Sequence, residues 1–206
     1  TLKRRLASIS ILHKIRGHYI DTKHPIIMEN LMGIKRAKGT YQKAKKPLLI
    51  SDLKLLINAI DESQEKHIRK IRDKALILIG FSGGFRRSEL VNIEIQDVEF
   101  VTEGVKIFVK RSKTDQSGEG MRKAIPYFNN IQFCPVIALK KWIDAFEKNQ
   151  NKIFNISDKN VVLIIKKYAS IAGLDSNKYA GHSLRSGFAT STAESGADER
   201  LSLIHI

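Results

Sequence analysis

Three stretches of the chain carry side chains suited to gripping an anion and moving a proton. The first is Gly83-Gly84-Phe85-Arg86-Arg87-Ser88-Glu89-Leu90, which sets two arginines behind a Gly-Gly break. A guanidinium fork matches phosphate oxygens bidentately, and one that projects from the end of a buried helix is held by a rigid body. Glu89, three residues on, is placed to pair with Arg86 or Arg87 and orient it. The second stretch is Gly181-His182-Ser183-Leu184-Arg185. A histidine and an arginine three residues apart on one helix share a face, about one turn apart, so both reach a single anion. The third is Arg111-Ser112-Lys113-Thr114-Asp115, where Lys113 opens a turn between two predicted strands. A lysine at a hairpin tip can swing into a neighbouring cleft and donate a proton to a leaving alkoxide. Taken singly, each has a plainer account: a surface arginine beside a helix-capping glutamate, a satisfied structural histidine, an exposed turn lysine. Their conjunction is what needs explaining.

The elements that must position these residues follow from hydrophobic period and chain breakers. Leu2, Leu6, Ile9, Leu12 and Ile15 recur at helical spacing and predict a helix over 2–16, which Gly17 ends. Pro25 opens a second helix through about Ile34. The basic, aperiodic run Lys35–Lys46 reads as an interdomain linker. Ser51 is expected to N-cap a helix over Asp52–Ile60, with Leu53, Leu56, Ile57 and Ile60 facing a core. A helix from about Ile68 to Phe81 carries the all-apolar Leu76-Ile77-Leu78-Ile79 and is broken by Ser82-Gly83-Gly84, with a short helix Ser88–Ile93 after the break.

The period then changes to two. Gln96–Val101, Val105–Arg111 and Arg122–Tyr127 read as strands. Pro135 fits the first turn of a helix over Val136–Lys148, with Ile137, Leu139, Trp142, Ile143 and Phe146 as core candidates. Ser157 or Asp158 caps a helix over Asn160–Ala172, and the final helix runs from about Ser183 to Ser195. The predicted fold class is mainly α with a small antiparallel three-stranded β-sheet, an α+β arrangement.

Composition narrows the partner. Lys and Arg number 36 against 21 acidic residues, a net charge of +15, and the pI is near 9.9. A surplus of this size is the electrostatic footprint of a nucleic-acid binder. It is concentrated: residues 1–46 hold twelve Lys or Arg against two acids, Asp21 and Glu29, a surplus of ten. A single cysteine, Cys134, rules out an internal disulfide or a multi-cysteine zinc site and suggests a reducing compartment. The sequence contains no apolar run long enough to cross a bilayer, so no membrane partner is expected.

In combination and order, Gly-Phe-Arg-Arg-Ser-Glu-Leu, then strand-Ser-Lys-Thr-Asp-turn-strand, then Gly-His-Ser-Leu-Arg-Ser-Gly-Phe-Ala-Thr resembles the tyrosine recombinases, also called the phage integrase family. The resemblance covers about residues 46–200, the catalytic domain. Residues 1–45 are similar to the end of the family's helical core-binding domain plus its basic linker. It implies a site-specific recombinase that cuts and rejoins double-stranded DNA through a 3′-phosphotyrosine, needs no metal or cofactor, and works as a homo-multimer on DNA. Arg86 and Arg185 would clamp the scissile phosphate, since the family arginine directly follows the Gly-apolar pair. Lys113 would protonate the departing 5′ oxygen, with Lys110, Arg111 and Lys123 as competing candidates for that position. His182 would hydrogen-bond the phosphate, and Glu89 matches the supporting acidic position. Lys35, Arg36, Lys38, Lys43, Lys45 and Lys46 would lie along DNA phosphates. A cytoplasmic protein of a bacterium, phage or mobile element is implied.

The family's nucleophilic tyrosine lies a few dozen residues beyond its His-x-x-Arg pair. The five tyrosines here, at 19, 41, 127, 168 and 179, all precede His182. Tyr168 reads as a core helix residue and Tyr179 as loop or surface. His205 falls near a further His/Trp position of the family without its flanking motif. Residues 201–206, Leu-Ser-Leu-Ile-His-Ile, match what a transposon-end sequencing adapter would encode, and no Met opens the chain. The expectation is a recombinase piece with a non-native tail, unable by itself to form the covalent intermediate; the alternative is a non-catalytic relative that occupies recombination sites. Codons for 201–206 that match the adapter are the expected outcome of reading the gene, and codons that differ would refute the tail.

Overall fold

The computed structural model describes residues 2–39, 45–110, 119–145 and 151–194. Among these residues no helix is long and apolar enough to cross a membrane. The chain divides into two compact units, Thr1–Ala44 and Lys45–Ile206.

The first unit carries helices α1 (Leu2–Ile15) and α2 (Pro25–Lys38), neither of which has a buried residue. Helix α2 extends beyond the predicted Ile34. Lys35, Arg36 and Lys38 therefore lie in its last turn rather than in a linker. The physical reason is that Lys and Arg are good helix formers and are favoured at a C-terminus, where they meet the negative end of the helix dipole. Gly39, with φ of 68°, ends the helix.

The second unit is built around α4 (His67–Ser82). Leu76, Ile77, Leu78 and Ile79 are all fully buried, which requires partners on every side of the helix. Those partners are α3 (Ile50–Glu62), α5 (Arg87–Val91), α6 (Pro135–Ala145) and α8 (Ser183–Glu194). Helix α7 (Asp158–Ile171) lies against α3 and α5 and is N-capped by Ser157, whose side chain accepts from the Asn160 N–H. A meander of β1 (Val98–Val101), β2 (Gly104–Val109) and β3 (Met121–Pro126) pairs antiparallel in that order. Its register sets Val105 opposite Ile125 and Ile107 opposite Lys123. The inward face is therefore Val105, Ile107, Val109 and Ile125, with one lysine among them.

Two further expectations are corrected. Helix α3 starts at Ile50, with Leu49 rather than Ser51 at the N-cap and no side-chain cap bond. Leu48, fully buried and donating its N–H to the Ser183 carbonyl at 2.9 Å, fixes where the chain turns into helix. Tyr179 does lie in a loop, but it is buried, because Asp52 accepts its hydroxyl proton at 3.0 Å. Of the α6 core candidates, Leu139 and Trp142 are buried and Ile137 and Ile143 half-buried against the core; Phe146 lies outside the described residues.

Helix α8 reaches its place by close backbone approach. A Cβ on Gly80 of α4 would stand 2.8 Å from Leu184 Cδ1, and one on Gly187 would stand 1.9 Å from the Leu48 carbonyl oxygen. Backbone cannot retreat as a side chain can. Gly187→Ala is therefore expected to destabilise the second unit by about 1–3 kcal/mol in urea denaturation. In contrast, Gly33→Ala, where nothing lies within 4 Å, should leave stability unchanged or improve it. Equal effects from the two would contradict this packing.

Candidate phosphate-binding site

The site begins where α4 stops. The Gly83 and Gly84 N–H groups donate back to the Ile79 and Phe81 carbonyls, and the Phe85 N–H reaches the Gly80 carbonyl at 3.1 Å. Gly84 takes φ of 54°, a left-handed conformation that costs glycine little. The reversal buries the Phe85 ring, and a Cβ on Gly83 would lie 2.2 Å from it. With Phe85 plugged into the core, the next residue, Arg86, is thrown to the rim.

Glu89 holds Arg86 twice. One carboxylate oxygen accepts the Arg86 backbone N–H at 2.9 Å and the other accepts from Arg86 Nη1 at 2.7 Å. The pair is largely withdrawn from water, with side-chain exposures of 18% and 2%. Charge-assisted hydrogen bonds of this kind are about twice as strong as neutral ones. Arg87 takes another direction. Its stem packs over Gly181, and its guanidinium lies 3.9 Å from Asp158. Of the two arginines, only Arg86 joins the cluster below.

Arg185, in the first turn of α8, donates from Nη1 to the Gly84 carbonyl at 2.8 Å. Partial burial, and then the nearby positive charge of Arg86, lowers its pKa, with Glu89 opposing. The arginine of the last helix and the arginine behind the Gly-Gly break are thus brought to one place, although 99 positions separate them in the sequence.

A lysine joins them. Lys123 Nζ donates to the Gly83 carbonyl at 2.6 Å and to the Gly84 carbonyl at 3.2 Å. It stands 3.9 Å from Glu89 Oε2 and 4.4 Å from the centre of the Phe85 ring. Burial pushes its pKa down to about 8, with Arg185 and Arg86 adding to the shift and Glu89 opposing it. Sequence reading named Lys123 only as a competitor for the proton-donor position. Its strand alternation with Ile125 was the signal that it faces inward.

The remaining candidates are placed as follows. His182 is exposed and immediately precedes α8 rather than lying within it; its carbonyl accepts from the Ser186 N–H and hydroxyl, each at 2.9 Å. The Ser183 hydroxyl, accepting from the Ala180 N–H at 2.9 Å, secures the turn before the helix. Lys113 and Arg111 lie outside the described residues, as do Lys43, His205 and residues 201–206. Lys110 is engaged by Glu94 and by Asp97, the latter at 3.2 Å, and its pKa is raised by the Glu94 hydrogen bond above all.

Two lysines assigned to the linker belong to the second unit. Lys45 donates to the Asn177 carbonyl at 2.7 Å. Lys46 lies near the Tyr179 hydroxyl and pairs with Asp52 at 3.0 Å, and the hydrogen bond to Asp52 above all raises the lysine pKa. Tyr179 and Tyr168 each donate to a buried aspartate, Asp52 and Asp73, at 3.0 Å. Burial first, and then the aspartate, raises both phenol pKa values.

Chemically, among the described residues, Arg86 and Arg185 are fixed near one another before any ligand arrives, with Glu89 and the buried Lys123 behind them. Prepositioned donors of this kind stabilise an anion without reorganising when it binds.

Comparison with known proteins gives concordant findings. A model of the phage integrase family matches residues 48–201. The integrase/recombinase xerD homolog of Selenomonas ruminantium is 43% identical over 213 residues, covering 96% of this chain. The tyrosine recombinase XerA of Pyrococcus horikoshii is 29% identical over 205 residues, covering 94% of this chain. The chain spans 62% of the length of the first relative and 68% of the second. Among solved structures, XerH site-specific recombinase bound to difH substrate aligns with a TM-score of 0.63 at 20% identity, over 81% of this chain and 48% of that one. XerA recombinase aligns with a TM-score of 0.62 at 18% identity, over 98% of this chain and 64% of that one. These two structures speak to the fold.

Proposed function

The chain belongs to the phage integrase family, the tyrosine recombinases, and on that premise we propose that it is the phosphate-gripping part of a site-specific DNA recombinase. The observation that carries this reading is the placing of Arg86, held by Glu89, near Arg185, which rests on the Gly84 carbonyl. Two guanidiniums aimed at one place suit the non-bridging oxygens of a scissile phosphate, where negative charge builds in the transition state. Glu89 orients Arg86 and offsets part of the repulsion between the arginines. His182, one turn before Arg185, adds a hydrogen bond to the phosphate, and Lys113 supplies the proton to the departing 5′ oxygen.

No tyrosine among the five in this sequence is a fitting nucleophile. Tyr168 and Tyr179 are buried and already donate to aspartates, and the other three, Tyr19, Tyr41 and Tyr127, precede His182 without a matching motif. Strand cleavage thus belongs to the whole protein, in which a further segment supplies the attacking tyrosine and the contacts between copies on DNA. What this chain does alone is bind duplex DNA. The basic helices of the first unit, with Lys35, Arg36 and Lys38 in the last turn of α2, add sequence-independent phosphate contacts. Lys45, exposed beside Asn177, is available for the same role.

Duplex binding is expected to weaken steeply with salt, with a log–log slope of about −0.9 for each phosphate neutralised. Arg86→Ala and Arg185→Ala should each make that slope shallower by about one while weakening binding to all sequences alike. Slopes unchanged in both variants would contradict a phosphate site at this position.

A further inference from the structure

A lysine placed on the apolar face of a strand calls for an explanation, because burying an ammonium is costly unless specific partners hold it. Lys123 is 1% exposed. It cannot touch DNA, so it is not a catalytic residue. Its neighbours nevertheless define the phosphate site. Gly83 and Gly84, whose carbonyls it binds, form the turn that aims Arg86. The Gly84 carbonyl is also the acceptor on which Arg185 rests. Glu89, which lies against its ammonium, is the carboxylate that grips Arg86.

We propose that Lys123 is a positioning residue: its ammonium, seated on the Gly83 and Gly84 carbonyls beside Glu89, fixes the turn that sets the spacing of Arg86 and Arg185. The proposal rests on the phosphate-site reading above and deepens it. A carbonyl that accepts from Lys123 and Arg185 together is polarised by both and cannot rotate without breaking one bond. The peptide between Gly84 and Phe85 is thereby immobilised, and Arg86 follows one residue later. Strand β3 thus steers the arginine pair from behind, through the core, without meeting the ligand. Replacing Lys123 by an apolar residue of similar length would remove the charge and both bonds and free the Gly-Gly turn.

The charged groups that face Lys123 are Glu89 from α5, Arg86 from the turn before it and Arg185 from α8. With a pKa near 8, the lysine begins to lose its proton just above neutrality. The sign is fixed by the cause: raising the pH removes the charge that orders the turn, so the grip on an anion loosens as pH rises through that value.

The test uses the full chain with inorganic sulfate, whose charge does not change in this range, and follows the Nε–H resonances of Arg86 and Arg185 by NMR. Wild-type protein is expected to show both resonances shifting with one common dissociation constant. Lys123→Met should weaken sulfate binding by about tenfold through lost preorganisation. Lys123→Arg, which keeps charge and donors, should stay within about threefold of wild type. Between about pH 7 and about pH 9.5 the wild-type affinity should fall, while that of Lys123→Met stays flat. Wild-type-like binding by folded Lys123→Met, or a flat wild-type pH profile, would overturn the positioning role while leaving the phosphate site intact. Should Lys123→Met fail to fold, the wild-type pH profile alone decides. Sulfate that moves neither arginine in the wild type would overturn the phosphate site itself, and the positioning role with it; Arg86→Ala, expected to abolish the response, marks that separate failure.

Discussion

Two arginines held side by side in a half-buried site repel each other, and the second unit is arranged so that this repulsion is tolerated. Burial, and then the positive charge of Arg86, lowers the pKa of Arg185. Among the described residues, the Glu89 carboxylate takes both the backbone and the side chain of Arg86, and the Gly84 carbonyl takes Arg185. An anion bound between the arginines would complete the compensation.

Everything that carries these groups is tied to rigid backbone. Helix α4 is buried along Leu76–Ile79 and ends in the Gly-Gly turn. Helix α8 lies against α4 across Gly80, where the Leu184 side chain packs, and against the Leu48 backbone across Gly187, at a distance that admits no Cβ. The segment at Lys46–Leu48 is bonded to the Lys178 and Ser183 carbonyls, and its Lys46 pairs with Asp52 under the Tyr179 hydroxyl. The chain thus enters the second unit alongside the helix that bears Arg185.

Much of this was legible in the sequence because the relevant signals are local. Apolar period located α3, α4, α6 and α7, and the switch to period two located the sheet. The Gly-Gly break before Arg86 and the short spacing between His182 and Arg185 pointed to anion chemistry. What the sequence did not disclose depends on contacts between distant residues. Ser51 is a good capping residue by type, yet the anchoring of Leu48 on Ser183 decided the start of α3. Tyr179 has no periodic context, and only Asp52, 127 positions away, explains its burial. Lys35, Arg36 and Lys38 looked like linker because charge masks helical period on a helix with no buried residue. Lys123 was visible as a lysine on the inward side of a strand, but its partners, the Gly83 and Gly84 carbonyls, lie on another element.

The central claim is that Arg86 and Arg185 act on one anion. The most direct measurement is a double-mutant cycle on duplex DNA affinity at fixed salt, comparing Arg86→Ala, Arg185→Ala and the double variant. Two arginines that share a phosphate should show a coupling energy of about 1 kcal/mol or more, because losing either leaves the other with little to grip. Effects that add within about 0.5 kcal/mol would mean that the arginines bind separate phosphates, or none, and would contradict the account.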